Sequence, residues 1–445
     1  IWESVVFVCK QVIQKAKISS KDILCIGITN QRETTVIWDK NTGKPIYNAI
    51  VWQDRRTSNI CDKLKGENCE NIITDTTGLL LDPYFSGTKI KWLLDQNVEV
   101  ISSCKEGNYL FGTIDTFLIW KLTGGKNHVT DATNASRTML YDIEKDRWSS
   151  KMCNLLGIPM EILPKVLNCA DNFGEVDINI FGSRIPISGV AGDQHAATMG
   201  QACFEPGLVK STYGTGCFVM LNTGATRIRS QNRLLSTIGY RLNGKITYAL
   251  EGSIFIAGAA VQWLRDGIKI ISSASETENM AKKSDFNQKV YFVPAFTGLG
   301  APYWDAESRG AIFGLTRNSG PLEICRATLE SVGYQSRDLL EAMLSDSPNV
   351  KNTVLRVDGG MSASNWSMQF LSDITGAMVD RPKMLETTSL GVAWLAGMHL
   401  DFYPSKDEFR QNWSQDVRFS PQLSYKKREE LYLGWKIAVN KTLTN

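Results

Sequence analysis

The sequence predicts an α/β protein built from two domains. Short apolar runs rich in β-branched residues alternate with helical i, i+3, i+4, i+7 patterns along its whole length. The alternation starts afresh after Gln201, which divides the chain into residues 1–201 and 202–445. At 445 residues the chain can also bury two sizeable cores.

A helical pattern is present from the first residues (Trp2, Val5, Val6, Cys9, Val12, Ile13) and ends near Lys17. It opens without Met and without a lead-in, so the chain is expected to begin downstream of its natural start. Residues 23–29, ILCIGIT, read as a buried strand with NQRE at its carboxyl end. Residues 34–38 are β-rich, and Asn41-Thr42-Gly43 signals a hairpin leading into residues 46–52. Asp54, Arg55 and Arg56 open a polar helix. DPYFSGTK (82–89) runs into an amphipathic stretch, 111–122 is a turn and an apolar helix, and 128–141 is rich in small hydroxyl residues. Residues 185–190 read as a strand, and Gly189 and Gly192 then let the backbone turn before Asp193. Ala196, Ala197, Met199 and Gly200 then suit a helix packed close to a neighbour. An acid at the carboxyl end of a buried strand is where open α/β sheets place their chemistry, though Asp193 would equally serve as a helix N-cap.

In the second half, residues 207–212 lead into the tight hairpin YGTGCF (213–218). Glycine turns are expected at Gly252, Gly258 and Gly359-Gly360. A long helix with Pro at its first turn covers 321–344, a strand 354–360, a helix 364–374, and a small-residue helix 388–398.

Composition removes several functions. The net charge is only +3 and no Lys/Arg cluster stands out, so no nucleic-acid surface is expected. Charged residues interrupt every apolar run short of a membrane span, and no secretory signal is expected. The ten cysteines form no CxxC and the three histidines (His128, His195, His399) no HxxxH, so no zinc site is expected. Scattered cysteines in apolar stretches fit free thiols in a reducing compartment, and the expected location is cytoplasmic.

No GxxxxGK[ST] is present, which removes P-loop chemistry. Gly214-Thr215-Gly216 is followed by Cys217 and Phe218 and fails the dinucleotide fingerprint. The 213–218 hairpin still offers amides and hydroxyls to phosphate oxygens. Arg32-Glu33 sets a five-donor fork beside an acceptor, the combination a polyol needs, or else is an exposed ion pair. Tyr84, Trp52 and Phe218 offer a hydroxyl and apolar faces to a small carbon skeleton, or are packing residues.

Taken together, GITNQRETTVIWD (27–39), NAIVWQDRRT (48–57), DPYFSGTK, TNASRTML (133–140), ISGVAGDQ (187–194), STYGTGCF (211–218), VPAFTGLGAPYWD (293–305) and VDGGM (357–361) resemble the FGGY family of carbohydrate kinases. The NQRE, WQDRR and DPYFS blocks point within it to the members that phosphorylate glycerol rather than pentuloses. The resemblance implies two ribonuclease-H-like domains of the actin/hexokinase ATPase type with a cleft between them. Glycerol would lie on the N-terminal domain, its hydroxyls held by Arg32, Glu33, Tyr84 and Gln194, its carbons sandwiched by Trp52 and Phe218, with Asp193 as general base. ATP would lie on the C-terminal domain, with Thr215 at the phosphates and Gly258, Gln262, Gly360, Met361 and Ser364 at the nucleoside. Mg²⁺ would arrive with ATP, and a homodimer or homotetramer is expected. Three departures stand out. Family members begin with a hairpin whose DQGTTS-like loop carries a magnesium-associated Asp; the first domain here is expected to be truncated before Ile1 and the 445 residues alone inactive. Ser364 stands where Asn is usual, and residues 179–184 (NIFGSR) lack the glycine-run-then-Arg loop for fructose 1,6-bisphosphate, whose inhibition is not expected. The alternatives are another polyol or pentulose kinase of the family, or a catalytically dead relative acting as a binding protein.

Overall fold

The computed structural model describes residues 1–350 and 353–444. Two sheets organise it. In the first half, Pro186–Val190 lies between Ile26–Ile28, to which it is parallel, and Ala170–Glu175, to which it is antiparallel. Only three residues of the expected 23–29 strand join this ladder. The hairpin expected at 41–43 turns the chain, with Gly43 at φ 67°, but forms only isolated bridges, Trp38 to Pro45 and Thr35 to Ile50. Pro45 has no N–H to give a ladder. Thr35–Asp39 pairs instead with Tyr109–Thr113 from outside the hairpin, in the register Ile37 to Phe111.

The second half carries a seven-stranded sheet. Leu208–Tyr213, Val354–Asp358 and Met378–Pro382 run parallel at its centre, and antiparallel strands flank them on both sides. The 213–218 hairpin forms as expected, with Tyr213 opposite Cys217. Gly252 is not at a turn: it lies inside the strand Lys245–Ile254, where a Cβ would come within 2.7 Å of Leu339. The long helix is Pro321–Asp346.

The two small-residue helices meet each other, and this meeting joins the halves. Asp193–Gly200 crosses Thr387–His399 so closely that a Cβ on Gly391 would sit 1.9 Å from the Ala196 carbonyl oxygen. Thr387–His399 also packs on Ile26–Ile28 and Pro186–Val190, although it belongs to the second half in sequence. Asp358 ties the junction, accepting from Gln201 Nε2 (2.9 Å) and Thr387 Oγ1 (2.6 Å). Leu235, from the second-half sheet, is likewise part of the first half's core. All ten cysteines are free thiols, and among the described residues no helix is long and apolar enough to cross a membrane.

Candidate active site

Asp193 is the first residue of its helix, one place past the cap position, which Gly192 occupies; the N-cap alternative therefore does not hold. Its carboxylate is free for other contacts. Gly192 is required by packing, since a Cβ there would lie 2.7 Å from both Cγ and Cδ of Arg32. The glycine thus lets Arg32 slide beneath the turn and reach Asp193, with Nε 2.9 Å from Oδ1.

Arg32 and Glu33 are not the exposed pair that their sequence allows. They are 2% and 1% exposed. Glu33 sits at φ 60°, a left-handed conformation uncommon for a non-glycine residue. The turn is held from outside: both Ser86 Oγ and Thr35 Oγ1 donate to the Glu33 carbonyl at 3.0 Å. DPYFSGTK is a second fixed turn. Buried Lys89 donates to the carbonyls of Pro83 (2.8 Å), Tyr84 and Phe85 (3.4 Å), which fixes the segment carrying Tyr84. Burial pushes the Lys89 ammonium down to about 8, against the pull of Glu33 and Asp82.

Two further residues complete the cluster, and sequence reasoning missed both. Glu251, fully buried on Lys245–Ile254, takes Arg32 in a two-pronged grip at 2.6 and 3.1 Å. Arg137, fully buried after the hydroxyl-rich run, donates to Glu33 (2.7 Å) and Glu251 (3.0 Å). Arg137 lay inside the TNASRTML block, and Glu251 outside every such block. The available signal was a charged residue amid buried apolar or small residues, which needs a partner. Burial alone would raise the Glu251 carboxyl, but Arg137 and Arg32 together pull it down to about 2. Burial wins at Glu33, whose carboxyl is raised despite Arg32 and Arg137. Two guanidiniums balance two buried carboxylates, which leaves Asp193 as the surplus negative charge and the exposed member, at 33%.

The oxygens of Asp193 are unequal. Oδ1 faces Arg32 Nε and accepts from the Gln194 N–H at 2.7 Å, while Oδ2 receives only a 3.4 Å contact from Gln194 Nε2. Gln194 is fixed in turn by buried Lys210, which donates to its Oε1. The neighbouring His195 is fully buried with both ring nitrogens unpartnered, and burial beside Arg32 keeps it neutral.

Trp52, Tyr84 and Phe218 come together beside this cluster. Trp52 meets Tyr84 at 5.6 Å and Phe218 at 5.8 Å, both edge to face. Trp52 and Phe218 thus adjoin one another, with ring planes 76° apart, as one aromatic wall beside the cluster.

The nucleotide residues gather around the 213–218 hairpin. Thr215 is exposed at its tip, and its carbonyl accepts from Ala257 (2.9 Å) and Ala259 (3.0 Å) at the start of Gly258–Asp266. The Gly258 N–H donates to the Gly214 carbonyl (2.9 Å), and a Cβ on Gly258 would lie 3.8 Å from Met361 Cγ. Gln262 is exposed one turn along the same helix. Gly360 has open space at its Cβ position. The Ser364 hydroxyl caps Asn365–Thr375 and donates to Glu278 at 3.0 Å. Among the described residues no three His, Cys, Asp or Glu side chains group to hold a metal ion.

The family model for the N-terminal domain of FGGY carbohydrate kinases matches residues 1–200, and that for the C-terminal domain residues 209–400. A glycerol kinase of Sinorhizobium fredii is 60% identical over 444 residues, covering 100% of this chain and 89% of the relative. The crystal structure of Plasmodium falciparum glycerol kinase with ADP superposes with a TM-score of 0.91 at 41% identity, over 98% of this chain and 87% of that one. A ligand-bound xylulose kinase of Lactobacillus acidophilus shares the fold alone, with a TM-score of 0.86 at 21% identity over 99% and 88% of the two chains. The match of both domain models, and of a 60% identical relative along the entire chain, places the protein in the FGGY family of carbohydrate kinases.

Proposed function

We propose that the protein is an ATP:glycerol 3-phosphotransferase that makes sn-glycerol 3-phosphate and ADP. The observation that carries this reading is the Asp193 carboxylate, part-exposed above a charge-balanced buried network with one oxygen left for a substrate proton. Arg32, Tyr84 and Gln194 supply hydrogen bonds to the polyol, and Glu33 offers the oxygen that Arg137 does not occupy. The aromatic wall of Trp52 and Phe218 lies against its carbons. Asp193 accepts the proton of the terminal hydroxyl as that oxygen attacks the γ-phosphorus. One O–P bond forms, the bond to the β–γ bridging oxygen breaks, and ADP leaves with that electron pair. Thr215 and the hairpin amides face the phosphates, and Gly258, Gln262, Gly360 and Met361 the nucleoside. Mg²⁺ belongs to the nucleotide substrate, where it neutralises phosphate charge. The division near Gln201 leaves the nucleotide-side residues in the second half and the glycerol-side residues, Phe218 excepted, in the first, and a homodimer or homotetramer in the cytoplasm belongs to the same reading.

The test is Asp193→Asn in the full-length protein, in a coupled assay with glycerol and ATP. A fall in kcat of roughly 10²–10⁴-fold is expected with the thermal midpoint unchanged. A variant within a few-fold of wild type removes Asp193 as the base. A pentulose turned over faster than glycerol replaces the substrate.

A further inference from the structure

The WQDRR block brings two arginines close to the site that the polyol reading leaves without a task. Both are expected from the sequence to open a helix; they lie instead in the turn ahead of Ser58–Gly66, three and four residues past Trp52. Their side chains part. Arg56 pairs with Asp54 at 2.8 Å, and its guanidinium lies over the Trp92 ring at 4.8 Å and the Tyr47 ring at 5.6 Å. Arg55 reaches the segment that carries Tyr84. Its Nη1 and Nη2 donate to Oδ1 (2.8 Å) and Oδ2 (3.2 Å) of Asp82.

Asp82 is more than an ion-pair partner. The same Oδ1 accepts the Tyr84 N–H at 2.9 Å, which closes a turn across Pro83. The Arg55 fork therefore grips the carboxylate that fixes the Tyr84 backbone. Lys89 holds that turn from the buried side, through the carbonyls of Pro83 and Tyr84, and Arg55 holds it from the solvent side. Trp52 meets the Tyr84 ring edge to face at 5.6 Å. Among the described residues one other hydrogen bond joins segments 52–57 and 82–89, between the buried hydroxyls of Thr57 and Thr88 at 2.9 Å. That bond is five residues from Trp52, so Arg55 is the nearer tie. The Arg55 side chain is 55% exposed and that of Asp82 16%, which makes the pair a modest one, favoured by its two-pronged geometry.

We propose, on the glycerol reading of this site, that Arg55 acting through Asp82 is a positioning residue: the pair holds the Trp52 and Tyr84 segments at one spacing and so sets the affinity for the polyol. The aromatic wall meets substrate carbons that phosphoryl transfer leaves alone. Loosening it weakens ground state and transition state alike, which raises KM for glycerol and spares kcat.

The test is Arg55→Met, Asp82→Asn and the double variant of the full-length protein, assayed against glycerol at saturating MgATP. Asn keeps an oxygen for the Tyr84 N–H, so Asp82→Asn removes the ion pair and leaves the turn. Each single variant is expected to raise KM for glycerol roughly three- to fivefold, with kcat, KM for ATP and the thermal midpoint unchanged. The double variant goes no further than either single one, because both remove the same contact. Arg55→Lys, a point charge without the fork, recovers part of the loss. Salt supplies a readout that a packing defect does not move. Glycerol is uncharged, so salt acts on its KM through the protein, and screening falls on the exposed pair far more than on the buried network. The wild-type KM for glycerol therefore rises about two- to threefold from low salt to about 1 M sodium chloride, while that of Arg55→Met stays flat. An unchanged KM, a fall in kcat, additive effects in the double variant, or one salt response shared by wild type and Arg55→Met overturns the proposal while glycerol remains the substrate. A wild-type protein that does not phosphorylate glycerol removes the site reading and this proposal together.

Discussion

Replacing Glu251 with Gln tests whether the buried network holds Arg32 as a unit. Glu251 carries three of the network's contacts, two to Arg32 and one to Arg137, and has no exposure to water that could substitute for them. Its carboxyl falls from 4.5 to about 2 on folding, which at about 1.4 kcal/mol per pH unit is about 3 kcal/mol. Removing one partner of a buried ion pair independently costs about 3–5 kcal/mol. The two routes agree, and against a total stability of about 5–15 kcal/mol the loss is large but not fatal. Because the folded carboxyl is depressed, this stability is complete above pH 4.5 and fades as the pH falls toward 2. Urea unfolding at pH 7 therefore shows a lower midpoint for Glu251→Gln, and the gap between variant and wild type narrows toward pH 3. The kinetic consequence follows from geometry. Gln leaves Arg32 one acceptor in place of a charged two-pronged anchor, beside the contacts to Asp193 and, at 4.0 Å, Glu33, so the fork proposed to meet the polyol is free to swing. A misplacement of about 1 Å costs up to about 10²-fold in kcat/KM, expressed here mainly as a raised KM for glycerol. An unchanged midpoint refutes the energetic argument. A lowered midpoint with an unchanged KM refutes the claim that Glu251 positions Arg32.

Gly192→Ala puts a methyl group 2.7 Å from two carbons of Arg32; it is expected to destabilise by about 1–3 kcal/mol and to raise KM for glycerol more than KM for ATP, measured in the same coupled assay. Glu330 has the opposite sign to Glu251: its folded carboxyl is raised from 4.5 to about 7, so its contribution is complete below pH 4.5 and is lost as the pH rises through 7. Glu330→Gln should therefore gain on wild type between pH 5 and pH 8, by up to about 3 kcal/mol in chemical denaturation, and a constant difference across that range counts against the assignment.

The elements that were legible in the sequence are those set by local pattern. The long helix Pro321–Asp346 announced itself by Pro at its first turn and sustained periodicity, and the 213–218 hairpin by its glycines. Pairing was less legible because it is decided at a distance. Thr35–Asp39 has a turn of the right kind beside it and still pairs with Tyr109–Thr113, some seventy residues on. The small residues of Asp193–Gly200 and Thr387–His399 foretold close packing, yet nothing in either stretch says that its partner is the other. That crossing carries a second-half helix onto the first-half sheet, so a break in sequence pattern near Gln201 is not a break in packing.

The site shows the same division at the level of single side chains. Asp193, Arg32 and Glu33 could be singled out in the sequence because each follows the end of a strand, at a turn that gathers polar groups. Their partners could not, because Glu251 is 219 residues from Arg32 and Arg137 is 104 from Glu33. Local propensity does carry a weaker message at these positions. Glu251 interrupts an apolar strand, and Lys89 and Lys210 are fully buried among apolar neighbours. A charge in such a place is costly unless something across the fold answers it. Here Lys89 answers the carbonyls of the Tyr84 turn, Lys210 answers Gln194, and Glu251 answers Arg32. Each of the three holds a residue that the sequence had already assigned to the polyol. The misplaced charges therefore lie one layer behind the proposed polyol residues, and their need for partners is what fixes those residues in position.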